Sequence, residues 1–109
     1  MATHVLQVST ATATREQALE LARSAVRSRL AAGAQIIPAT SVFWHDGEFG
    51  EGEEWRLLLK TTDARYPDLE RHILAAHPWR NPEVSAVRVE AGAAGCLRWV
   101  EEVTGLPSQ

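Results

Sequence analysis

The sequence predicts an α+β sandwich, a ferredoxin-like split βαβ arrangement with one helix added at its C-terminal end. Three observations carry this. Four runs are rich in β-branched, aromatic and other apolar residues, and three others repeat apolar residues at spacings of three and four. The two kinds alternate as strand, helix, strand, strand, helix, strand, helix. A length of 109 residues with 45% apolar content allows one hydrophobic core, hence a single domain over residues 1–109.

Val5, Leu6 and Val8 open strand one, and the small residues from Ser9 to Thr14 are expected to break it. Thr14 with Gln17 three residues later forms a capping box, in which each satisfies a backbone donor that a helix start leaves unpaired. Leu19, Ala22, Val26 and Leu30 then give helix one a buried stripe, with arginines and glutamates over most of the remaining surface. Gly33, free to take positive φ, is expected to end it.

Ala34 to His45 reads as strand two, Asp46-Gly47 as a tight hairpin turn, and Glu54 to Thr61 as strand three. Trp55, Leu57 and Leu59 share one face of strand three, and Arg56, Leu58 and Lys60 the other. Pro38 marks an edge, bend or bulge. Helix two starts between Thr61-Thr62-Asp63 and Pro67, buries Leu69, Ile73, Leu74 and Ala76, and ends at His77-Pro78. Glu83 to Glu90 alternates as strand four. Ala93 to Thr104, with Leu97, Val100 and Val103 at helical spacing, is helix three, stopped by Gly105 and Pro107.

Right-handed crossovers lay helices one and two on the same face of the sheet. Leu58, the Val- and Ile-rich second strand and the tryptophans then lack an intramolecular cover, and self-association is the simplest one.

Eleven Lys and Arg against fourteen Asp and Glu give a net charge of −3 with no basic stripe, which argues against nucleic acid as a partner. The longest charge-free run, Ala31 to Val42, is interrupted by Gln35, Pro38, Thr40 and Ser41 and is no membrane span. The single cysteine, Cys96, cannot form an internal disulfide, and Met1-Ala2-Thr3-His4 lacks the features of a signal peptide. A cytoplasmic location is expected.

The chain resembles the CutA divalent-cation-tolerance family. The resemblance lies in Arg29-Leu30-Ala31-Ala32 leading into Ile36-Ile37-Pro38, then in Thr40-Ser41, Asp46-Gly47 and Glu53-Glu54. It continues through Leu58-Leu59-Lys60-Thr61-Thr62, His77-Pro78, Pro82-Glu83 and Val89-Glu90-Ala91-Gly92, followed by Leu97 and Trp99. It implies a ferredoxin-like protomer in a homotrimer, tolerance to copper and other divalent ions, and an architecture similar to PII signalling proteins. The chain departs from the family pattern at several places. Gly33 replaces a cysteine, His45 a tryptophan, and Trp79 and Cys96 tyrosines. Thr10 and Ala76 stand where some members carry candidate copper ligands.

A copper or zinc site needs converging imidazole or thiolate ligands. His4, His45, His72 and His77 have no such spacing, since His72 and His77, five apart, do not share a helical face. His77, at the end of helix two, is the candidate metal ligand, and a protonated imidazole there would also complement the helix dipole. Cys96 reads as a small buried hydrophobe. Glu48, Glu51, Glu53 and Glu54 read as a solvated hairpin tip. Glu83 and Glu90 lie about 23 Å apart along one strand, too far to share a substrate. No serine lies in a nucleophile elbow, and no phosphate-binding glycine pattern occurs, so no enzyme is expected and no cofactor beyond copper or another divalent cation.

Trp44, Trp55, Trp79 and Trp99 read as core and interface packing. Lys60, His77, Trp79 and Glu83 are the candidate residues of an inter-subunit cleft. Their cation, imidazole, indole and carboxylate suit a small metabolite or anion in a PII-like regulatory protein, the alternative to metal tolerance.

Overall fold

The computed structural model describes residues 3–105, and its elements follow the expected order. They are β1 (Val5–Thr12), α1 (Arg15–Arg27), β2 (Gly33–His45), β3 (Glu48–Thr62), α2 (Tyr66–Ala76), β4 (Ser85–Arg88) and α3 (Ala94–Thr104). All pairings in the sheet are antiparallel, in the order β2-β3-β1-β4. β1 and β2 therefore run parallel with β3 between them, which is the split βαβ unit. Among the described residues no helix is long and apolar enough to cross a membrane.

Strand alternation sorts the core into two. Val8, Leu57 and Leu59 point to one face, where α1 and α2 bring Leu21, Ala22, Ala25, Leu69 and Ile73 onto them. Val5 points to the opposite face and packs with Ala32 and with Val100 of α3. The added helix thus covers one end of the face that α1 and α2 leave open. Beyond that end Ile37, Phe43 and Val87 remain exposed.

β1 does not break after Val8. Thr10, Ala11 and Thr12 are buried and paired with Leu57, Arg56 and Trp55, so tertiary packing makes strand of a stretch whose small size suggested a loop. The Thr14–Gln17 capping box is present in both directions. α1 stops at Arg27, six residues before Gly33. Its end is a Schellman turn in which Arg29 N–H reaches Val26 O and Leu30 N–H reaches Ala25 O. Arg29 takes the left-handed conformation there, at φ 62°. Because a side chain at that φ is strained, Arg29→Gly is expected to raise stability by about 1 kcal/mol, read by chemical denaturation.

Gly33 has a different role. It opens β2, and a Cβ there would lie 2.9 Å from Trp99 Cη2, so the missing side chain lets α3 lie against the sheet. The β2–β3 turn has Asp46 at φ 52° and Gly47 at φ 77°, the pair of positive angles a two-residue hairpin needs. β3 begins at Glu48 rather than Glu54, because that turn carries the pairing on directly from His45 opposite Glu48. The register is continuous past Pro38, which sits on the outer strand of the sheet, the place where a strand tolerates proline. In α2 only Leu69 and Ile73 are buried. Leu74 is 50% exposed and Ala76 lies at the surface, so the buried stripe is narrower than the pattern suggested. β4 is shorter than expected, at four residues.

Candidate functional site

β2 and β3 extend beyond the helices as a two-stranded arm. Its apolar side chains have no cover within the protomer, with Trp44 73%, Val42 62% and Phe49 57% exposed. Trp44 and Phe49 pair edge to face across the strands at 5.8 Å. Where the arm leaves the body, a cleft of about 820 Å³ opens between it and the loop after α2, and that volume is within the range of small-molecule sites. Its lining includes Phe43, Trp44, Arg56, Trp79, Arg80 and Glu83.

Arg56 is the hinge of this cleft. It lies opposite Ala11 in β1 and Ile37 in β2, on the face away from α1 and α2. Its two terminal nitrogens donate to the two oxygens of Glu83 at 3.2 and 3.3 Å, a fork that ties β3 to the segment leading into β4. The Arg56 guanidinium holds the Glu83 carboxyl below its ordinary value, against the opposing effect of partial burial. Ser41 donates to Glu54 at 2.8 Å, and His45 lies 3.4 Å from Asp46.

Of the four residues expected to form one site, Trp79 and Glu83 line this cleft and Lys60 and His77 do not. Lys60 shares the face of Arg56 but lies four residues further along β3, about 13 Å away, and its amine donates to Gln7 at 2.9 Å. His77 is buried behind the cleft. Its Nε2 lies 2.7 Å from Ala11 O, and its Nδ1 accepts from the Trp79 backbone N–H at 3.0 Å. A carbonyl only accepts and an amide N–H only donates, so the ring is held as the Nε2–H tautomer. Held this way, neither nitrogen has a lone pair to spare for a metal. The imidazole also packs against the Trp79 ring, at 5.1 Å.

The other candidate ligands are dispersed. His72 Nε2 bonds Ser24 Oγ at 2.6 Å between α2 and α1, and His4 pairs with Asp63. Cys96 is exposed in the first turn of α3, contrary to the buried hydrophobe expected, although it lies on one helical stripe with the buried Val100 and Thr104. Glu53 and Glu54, adjacent in β3, point to opposite faces and accept from Thr40 and Ser41. Among the described residues no three His, Cys, Asp or Glu side chains gather closely enough to hold a metal ion. The described residues of one protomer do not fit a copper site.

Sequence reasoning missed Arg56 and Arg80. Strand alternation did place Arg56 on the open face, and Arg80 follows Trp79 directly, but the salt-bridge partner of the one and the nearness of the arm to the other carry no local signal.

Comparison with known proteins places this architecture. A family model, CutA1 divalent ion tolerance protein, matches residues 6–103. The chain is 38% identical over 91 residues to the divalent-cation tolerance protein CutA of Thermus thermophilus, covering 83% of this chain and 88% of that one. It is 38% identical over 88 residues to protein CutA of Homo sapiens, covering 80% of this chain and 49% of that longer protein. The solved divalent cation tolerance protein (Cut A1) from Thermus thermophilus superposes with a TM-score of 0.88 at 35% identity, over 93% of this chain and 99% of that one. In order of elements, fold and sequence over nearly its whole length, the chain belongs to the CutA1 divalent ion tolerance family.

Proposed function

We propose that the protein acts in tolerance to divalent metal ions, copper among them, as a homotrimer in the cytoplasm, and that its contact with metal is weak or indirect. Family membership supports the tolerance role, and the lack of a converged ligand set among the described residues supports indirect contact. The observation that carries the assembly is the uncovered arm: Val42, Trp44 and Phe49 on one side of it and Ile37 and Phe43 on the other remain exposed in the protomer. Both sheet edges, β2 and β4, also present unpaired backbone groups at opposite ends of one sheet. A contact between two different surfaces of identical chains closes into a ring when the rotation from copy to copy divides the full circle, as a threefold arrangement does. An exposed thiol at Cys96 suits a reducing compartment.

Sedimentation at micromolar concentration is expected to give about three times the 12.0 kDa chain mass. A stable monomer would overturn the assembly. Cells deprived of the protein are expected to grow less well at raised copper, and unchanged growth would overturn the tolerance role.

A further inference from the structure

The start of β2 and the last turns of α1 enclose a second space, away from the arm and its cleft. It is a shallow groove of about 310 Å³, lined by Ala22, Arg23, Val26 and Arg27 of the helix and by Gly33 and Ala34 of the strand. Its floor is apolar, since Ala22, Val26 and Ala34 also pack on the core beneath. One wall is a free sheet edge, because β2 is an outer strand and pairs with β3 alone. The other wall is a helix. Pro38, which has no N–H, stands between this stretch of β2 and the exposed Val42, Phe43 and Trp44 of the arm.

Arg23 and Arg27 are the only charged side chains in that lining. Both are exposed, and neither makes an ion pair among the described residues. Glu20 stands three residues before Arg23, a spacing at which helix surfaces often pair, yet it does so with neither arginine and does not line the groove. Glu16, the other carboxylate of α1, lies outside the lining as well. The rim therefore carries positive charge that nothing within the lining neutralises.

We propose that this groove takes an extended acidic segment of a partner protein, added as a strand to the free edge of β2, with glutamates at alternate positions on Arg23 and Arg27. The spacing suits it. The two arginines are one helical turn apart, about 6 Å along the axis, and side chains on one face of a strand repeat at about 6.5 Å. Main-chain hydrogen bonds to an open edge give affinity whatever the sequence, while the guanidiniums select for carboxylates at that interval. The free edge favours a peptide over other amphipathic anions, which bring no amides to pair with it. The lining comes from one protomer and includes no arm residue, so the inference does not rest on the metal-tolerance reading, and the two fail separately.

Fluorescence anisotropy on the full chain tests it, with a labelled short peptide that alternates glutamate and threonine and is capped at both ends. The peptide is expected to bind, and the version with lysine for glutamate is expected not to. Arg23→Gln with Arg27→Gln changes two exposed side chains and is expected to weaken binding about tenfold or more, as for lost charge-assisted hydrogen bonds. Methylating alternate backbone nitrogens of the peptide removes edge donors but no charge, and in one of the two alternating sets it is expected to abolish binding. Sedimentation of the double variant is expected to match the wild type. No binding up to about 1 mM, equal binding of the lysine peptide, unchanged affinity in the double variant, or full binding by both methylated peptides would each overturn the proposal. So would a changed sedimentation, which would give the groove to a second copy of the chain, whose Glu51 and Glu53 share the alternate spacing on the arm.

Discussion

Replacing His77 with alanine is expected to destabilise the protein by about 2–4 kcal/mol while leaving its affinity for copper unchanged. The imidazole is buried and makes three contacts, with Nε2–H on the Ala11 carbonyl of β1, Nδ1 under the Trp79 amide, and its ring against the indole of that same residue. Alanine leaves a buried carbonyl and an amide without partners, each costing about 1–3 kcal/mol if water does not reach it, and opens a cavity besides. Urea denaturation of wild type and variant measures the first effect. Buffered copper titration measures the second, and a tenfold loss of affinity would show that His77 ligates metal in the assembled protein. The variant is also expected to loosen Trp79, so its indole fluorescence shifts toward that of a hydrated ring.

Leu57→Ala is expected to cost about 2–5 kcal/mol, the range for emptying a fully enclosed aliphatic site. Leu57 has no exposed surface. It lies between Thr10 and Ile36 at the middle of the sheet and joins the cluster that α1 and α2 close with Leu21, Leu69 and Ile73. No neighbour there is free to collapse into the space, since Leu69 and Ile73 are themselves fixed on α2 and fully buried. A loss of that size is a large share of the stability of an ordinary domain. Leu58→Ala, one residue along and on the opposite face, supplies the contrast. Leu58 is only half-buried in the protomer, so its cost is expected to depend on protein concentration, as a contact between subunits does. A loss below 1 kcal/mol for Leu57→Ala would mean that the two faces are assigned the wrong way round.

Much of the fold was legible in the sequence because its signals are local. Asp46-Gly47 defines a two-residue turn through the positive φ both residues tolerate, and Thr14 with Gln17 defines a helix start through reciprocal hydrogen bonds. The alternation through Leu57 and Leu59 separates one face from the other whatever lies against them. The misreadings share one cause. Ser9 to Thr12 looked like a loop because the run carries no large apolar residue, yet the β-branched Thr10 and Thr12 suit a strand and continue it, buried, to Thr12. Gly33 looked like a helix stop because glycine commonly is one. The helix ends at Arg27 and the left-handed residue of its closing turn is Arg29, whose strained φ is compensated by the hydrogen bonds of the turn, while Gly33 is small for the sake of Trp99, a residue 66 positions away.

By itself the sequence determined the element order, the two-faced sheet, the uncovered apolar surface and the family. These follow from periodicity, turn chemistry and recurrent short motifs, all readable within a few residues. Only the tertiary structure decided which polar groups meet. It divided the expected cluster, sending Lys60 to Gln7, His77 to Ala11 and Trp79, and Glu83 to Arg56. It also left Arg80 facing the cleft without a partner among the described residues. The physical reason is range. Backbone preference acts over a turn of chain, whereas the partner of a charged or imidazole side chain is chosen by whichever strand or loop the sheet order brings beside it. For His77 that partner is a carbonyl 66 residues away, which no spacing rule could have named.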